Sequence, residues 1–173
     1  ELIFGNLLSG ANFDEKEKKT VGGKHGYGAK LINVLSTEFI VETVDAYREL
    51  KYTQKFSHSI SIRVGPNIVS YKGSPYTQLT FKPDFPRFGL TCLNDDETIQ
   101  LMEKRAYDIA ACISKEVSVW YNGKKLDVRT FERYVDLYIG SRGQNKRLYS
   151  RVNEDWEIAV CTSLDNNFEQ ISF

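Results

Sequence analysis

The chain has 173 residues, with 23 Lys and Arg against 23 Asp and Glu and a formal net charge of zero. That length holds one ordinary domain, or one domain and part of a second. Apolar residues make up 41% and aromatics 13%, enough to bury a core and too much for a disordered segment. No apolar run approaches the roughly 20 residues of a membrane-spanning helix, and the balanced charge excludes nucleic-acid binding through bulk positive charge.

Cys92, Cys112 and Cys161 are widely spaced and odd in number. They read as small buried or half-buried hydrophobes in a reducing compartment, not as a zinc site or a disulfide framework. The first residue is Glu1, with no signal-peptide pattern after it, so the expectation is a piece of a longer chain or one from which something was removed.

Glu1–Ser9 reads as the end of a helix, and Gly10–Lys24 as a charged loop ending in a glycine pair. Tyr27–Ser36 has apolar residues at Leu31, Val34 and Leu35, the spacing of an amphipathic helix. Strands are expected at Glu38–Val44, Leu50–Phe56 and Tyr76–Phe81, the last stopping before Pro83. Asn94–Ser114 is the clearest helix, capped by Asn94 or Asp95, with Ile99, Met102, Ala106, Ile109 and Ala110 along one face. Val117–Tyr121 and Lys124–Val128 flank Asn122-Gly123, a type I′ hairpin signal. Phe131–Tyr138 is helical, Gly140–Lys146 a polar loop, and Trp156–Cys161 and Phe168–Phe173 two more strands. Grouped rather than alternating elements favour the α+β class.

The stretch that carries chemistry is Gly22-Gly23-Lys24-His25-Gly26-Tyr27-Gly28-Ala29-Lys30, at the start of a helix. Glycines let a backbone approach a ligand closely, and a helix start adds unpaired N–H donors and partial positive charge. The stretch matches neither G-x-x-x-x-G-K-[ST] nor G-x-G-x-x-G, since Leu31 stands where the second motif needs Gly or Ala. It reads G-x-x-G-x-G instead, which suits either a phosphate cradle or tight packing. His25 has no neighbouring Ser or Cys nucleophile and is not read as a general base; His58 reads as a surface histidine.

The string LIFGNLLSGANFDEKEKKTVGGKHGYGAKLINVLSTEF resembles the ATP-lid region of the eukaryotic-type DNA topoisomerase II family. That family falls within the gyrase, Hsp90, histidine-kinase and MutL ATPase superfamily. The resemblance continues through TFKPDFPRFGL, EKRAYDIA, WYNGKKLDV, FERYVDLY and WEIAV to FEQISF, so it covers essentially the whole chain. It implies that the backbone N–H groups of Gly23, Lys24, His25, Gly26, Tyr27, Gly28, Ala29 and Lys30 bind the triphosphate of ATP. It also implies a nucleotide contact from Asn12. Two departures stand out: Lys24-His25 replaces the usual Arg-Asn, and Gly10-Ala11-Asn12 replaces Ser-Ser-Asn, keeping one polar side chain of three.

By the same resemblance, residues 1–128 are the C-terminal part of a two-layer α/β sandwich of the gyrase/Hsp90 ATPase type, and residues 129–173 begin a transducer domain. The implied whole is an ATP-hydrolysing, nuclear enzyme that uses ATP and Mg2+, acts on DNA and closes as a homodimer, with no membrane partner. The family's catalytic Glu, its Mg2+-holding Asn and its adenine-reading Asp belong upstream of Glu1, and its γ-phosphate lysine beyond Phe173. This polypeptide alone is therefore expected to bind nucleotide weakly and hydrolyse essentially none. The competing readings are an ATP-gated chaperone or mismatch-repair clamp of the same superfamily, and a non-catalytic interaction domain. Arg142, Lys146, Arg147 and Arg151 form a loose basic cluster to which no DNA-phosphate contact is assigned on the sequence alone.

Overall fold

Two short helices, α1 (Leu2–Gly5) and α2 (Tyr27–Val34), lead into four antiparallel strands. These are β1 (Ser36–Asp45), β2 (Leu50–Ser57), β3 (Ile62–Ser70) and β4 (Tyr76–Pro83), hydrogen-bonded in the order β3–β2–β1–β4. The computed structural model describes residues 1–10, 23, 25–163 and 165–172. It divides into two compact units, Glu1–Cys92 and Leu93–Phe173.

Strand alternation sets the core of the first unit. Phe39 and Val41 lie two apart on β1 and share a face, and Phe56 of β2 sits directly opposite Phe39. The two rings meet edge to face at 6.3 Å between centroids, and Phe4 of α1 lies 6.0 Å from Phe39. Phe56 is fully buried, which contributes about 1.5–3 kcal/mol relative to an exposed ring. The sequence reading misses β3, because Gly65-Pro66 interrupts its alternation. Both residues are tolerated because β3 is an edge strand and bulges there: the register against β2 slips between Thr53 and Lys55, and Gly65 has φ +93°.

The second unit holds α3 (Asp96–Cys112), the ladder β5 (Trp120–Tyr121) with β6 (Lys124–Lys125), α4 (Phe131–Ile139), and the pair β7 (Arg147–Arg151) with β8 (Glu157–Cys161). Asp95 caps α3 by accepting from the Thr98 N–H at 2.9 Å, and Thr130 caps α4 by accepting from the Arg133 N–H at 3.2 Å. Asn122 and Gly123 take φ +47° and +74°, the two left-handed positions of the expected type I′ turn. Ala110, Leu126, Val128 and Tyr134 form this unit's core.

Four expectations are corrected. The expected face of α3 holds only in part: Ala110 is buried and Ala106 packs against the core, but Met102 and Ile109 are exposed and Asp108, outside the stripe, is buried. Residues 168–172 form no strand, and β7 forms where the sequence pattern predicts no element. Cys92 and Cys112 are exposed and only Cys161 is half-buried. The α+β class stands: every ladder among the described residues is antiparallel, with helices beside it.

Candidate functional site: the glycine-rich entry to α2

The glycine box opens α2 in an unusual way. Gly26 is the N-cap, in the left-handed region at φ +66°, ψ +30°, and no side chain caps the helix. Asp95 and Thr130 close the starts of α3 and α4, whereas the start of α2 presents backbone donors with no side-chain acceptor at its cap. A side chain at Gly26 has no room. An ideal Cβ there would lie 2.9 Å from Lys30 Nζ, 3.0 Å from Gly10 Cα and 3.1 Å from Gly10 N. Around Gly23 and Gly28, by contrast, a Cβ would meet nothing within 4 Å among the described residues. Gly26 is therefore required by backbone packing, while Gly23 and Gly28 leave open space beside the chain.

Lys30 carries more weight in the structure than its place at the end of the glycine box suggests. It is 2% exposed, with its ammonium beside Gly26, and no hydrogen bond or ion pair reaches it among the described residues. A buried ammonium without a counter-charge is costly, and an anion at the helix start would relieve that cost. One turn on, Asn33 is 1% exposed; its amide donates to the Phe4 carbonyl of α1 at 3.0 Å, and its Oδ1 has no partner among the described residues. The amphipathic reading of α2 is thus corrected in part: Leu31 is exposed, Val34 and Leu35 are half-buried, and the fully buried residues are Lys30 and Asn33.

Of the other expected site residues, His25 is exposed, with its ring 5.9 Å from that of Tyr27, itself 43% exposed. Ala29 is half-buried in the first turn of α2. Asn12 and Lys24 lie outside the described residues. The structure brings Gly10, Gly26 and Lys30 together. The Gly10–Gly26 contact is not foreseen from the sequence; its one signal there is that both positions are glycine.

These residues fit a phosphate group: uncapped N–H donors, open space at two glycines, and beside a third a buried ammonium with no partner among the described residues. They do not fit a metal. No group of three His, Cys, Asp or Glu side chains that could hold an ion occurs among the described residues.

Three of the four residues of the basic cluster face carboxylates of this chain, while the exposed Lys146 has no ion pair among the described residues. Arg142 pairs with Glu132 at 2.6 Å, and Arg151 with Glu157 at 3.7 Å. The buried Arg147 side chain donates to Asp136 at 2.7 Å and to the Gly140 carbonyl at 2.6 Å. Among the described residues no helix is long and apolar enough to cross a membrane.

Solved structures share this arrangement of helices beside an antiparallel sheet. The ATPase region of Saccharomyces cerevisiae topoisomerase II superposes with a TM-score of 0.83 at 46% identity, over 93% of this chain and 42% of that one. The ATPase and transducer domains of DNA topoisomerase II from Balamuthia mandrillaris give 0.84 at 40% identity, over 96% and 42%. No family model matches the chain. In sequence it is 44% identical over 180 residues to DNA topoisomerase 2 of Arabidopsis thaliana, and 44% over 190 residues to that of Saccharomyces cerevisiae. All of this chain is matched in both cases, and it spans 12% and 13% of those proteins. The chain is thus similar from its first residue to its last to a stretch of eukaryotic DNA topoisomerase II that lies in the ATPase region.

Proposed function

We propose that this chain is the ATP-binding segment of a type II DNA topoisomerase. In the full protein, ATP binding and hydrolysis would close a dimeric clamp and drive one DNA duplex through a transient double-strand break in another. The observation that carries this reading is the 44% identity along the whole chain to eukaryotic DNA topoisomerase 2. The buried Lys30 ammonium behind the left-handed Gly26 supports it locally.

ATP supplies the free energy of its terminal phosphoanhydride when bound. The chain's own part is to hold the triphosphate: backbone N–H groups from Gly23 to Lys30 donate to phosphate oxygens, the α2 dipole favours their charge, and Lys30 neutralises part of it. Asn12, Lys24 and His25 are assigned to the same site by family resemblance. Mg2+ belongs with the nucleotide and with groups outside this chain. We assign residues 1–128 to the ATPase domain and 129–173 to the start of the transducer; the second compact unit begins ahead of that boundary, at Leu93. DNA, a homodimeric partner and a nuclear location are assigned to the full protein from its family.

The test is ATP turnover by the full protein with and without duplex DNA, beside a Gly26→Val variant. DNA-stimulated turnover lost in the variant is the expected result, because a branched side chain at φ +66° would collide with Gly10 and Lys30. Turnover indifferent to DNA would point to the chaperone and mismatch-repair relatives. No turnover, with the family's upstream glutamate intact, would leave an interaction domain.

A further inference from the structure

The last carbonyls of α1 have no partners within the helix, and side chains from three directions satisfy carbonyls at this end of the chain. Asn33 Nδ2 of α2 donates to the Phe4 carbonyl at 3.0 Å. Arg63 of β3 donates through Nη2 to the Gly5 carbonyl at 2.8 Å, and through Nη1 to Asn6 Oδ1 at 3.2 Å and Glu1 Oε1 at 2.8 Å. Ser9 Oγ donates back to the Leu2 carbonyl at 2.8 Å and the Asn6 carbonyl at 3.0 Å. Beneath them Gly5 lies so close to the buried Phe56 ring that a Cβ would stand 3.0 Å from it. The end of α1 is therefore fixed on the sheet side by Phe56 and Arg63 and on the helix side by Asn33.

From the end of α1 the chain reaches the glycine box within five residues. The Gly10 backbone lies against Gly26: a Cβ added to Gly26 would stand 3.0 Å from Gly10 Cα and 3.1 Å from Gly10 N. A tail anchored at residues 4–6 and folded back by Ser9 sets where Gly10 can lie, and Gly10 in turn walls one side of the left-handed cap. The fork of an arginine suits this task, since one planar group spans a carbonyl, an amide oxygen and a carboxylate at once.

We infer that Asn33 and Arg63 are positioning residues for nucleotide binding: acting through α1, they hold Gly10 against Gly26 and so keep the phosphate-binding entry of α2 in shape. Neither residue touches the nucleotide. This rests on the ATP-binding reading above and deepens it, by placing one determinant of affinity on β3, outside the glycine-rich segment.

The experiment is calorimetric binding of a non-hydrolysable ATP analogue to the full protein, with amide hydrogen exchange at residues 2–10 and steady-state ATP kinetics. Asn33 is buried and its replacement endangers the fold, so the half-exposed Arg63 carries the test. Arg63→Met keeps the apolar stem and removes the fork. It should weaken analogue binding about tenfold, raise KM with kcat retained, and speed exchange in α1. Arg63→Lys restores the charge with a single contact and should recover part of the loss. Lys51→Ala, which breaks the Lys51–Glu42 pair on the same sheet, should leave binding unchanged. Analogue binding by Arg63→Met at the wild-type level overturns the inference, whatever the exchange shows. If the wild-type protein binds no analogue, the ATP-binding reading itself fails, an outcome that cannot be confused with the first.

Discussion

At the scale of single residues, the most telling are polar groups where a helix ought to bury apolar ones. Lys30 and Asn33 take the covered side of α2 and leave Leu31 exposed. A pattern of apolar spacing could not announce this, because it counts the residues that avoid water and not those held for a partner. The glycines were legible as a loop that a ligand can approach; which of them is sterically required was not, since that depends on Gly10 arriving from a distant point in the chain. In the second unit the comparable residue is Tyr134. It is 2% exposed, and its hydroxyl donates to the buried Asp108 and shares a 2.7 Å contact with Tyr138. Tyr134→Phe keeps the ring and removes that donor. It should cost about 1–2 kcal/mol in denaturant unfolding, and an unchanged midpoint would show that the hydroxyl contributes nothing net.

At the scale of elements, a charge cluster on α3 reaches α4 through the Tyr134 hydroxyl, beside the apolar packing between the two helices. Asp108 receives Lys104 Nζ at 2.9 and 3.0 Å, Arg105 at 3.0 Å and the Tyr134 hydroxyl. Burial by itself raises the Asp108 pKa; the Tyr134 hydrogen bond and the two cations outweigh it and hold the carboxyl below its ordinary value. A carboxyl that titrates lower folded than unfolded stabilises fully above its unfolded pKa of about 4, and loses that contribution as the pH falls through the depressed folded value. Stability of the chain should therefore drop below about pH 4, and Asp108→Asn should flatten that part of the profile when unfolding is followed by circular dichroism. An equal acid slope in the variant would remove Asp108 as the cause. The elements themselves were legible in proportion to their local signals. The capped helix α3 and the Asn-Gly hairpin declare themselves through chemistry within four residues. The strands β3 and β7 do not: β3 carries a bulge with Gly65-Pro66, and β7, RLYSR, is charged because Arg147 and Arg151 find carboxylates on other elements.

At the scale of the molecule, the likeness to eukaryotic DNA topoisomerase II was readable because the motifs that carry it run the length of the chain, while the division into compact units was not. The expected boundary near residue 128 separates α3 from α4, yet the two share one core through Ala110, Leu126, Val128 and Tyr134. Sequence motifs report which protein a segment comes from; which pieces pack together depends on side chains that meet across tens of residues. The 173-residue chain by itself should bind nucleotide weakly and release no phosphate above background in a coupled assay, since no base for water activation is assigned to it. Measurable turnover by the isolated chain would sink that expectation.

The ion pairs of the second unit also bear on how the full protein's grip on a polyanion would answer to salt. Arg142, Arg147 and Arg151 are each already neutralised by a carboxylate of their own chain. A duplex docking there would have to displace Glu132, Asp136 and Glu157, whose carboxylates would stay close by and offset part of the phosphate charge that the arginines neutralise. Affinity gained through these three arginines would depend on salt less steeply than three unpaired cations would make it, while the exposed Lys146, with no ion pair among the described residues, would keep its share of the slope. A steep slope measured for the full protein would have its origin in other lysines and arginines.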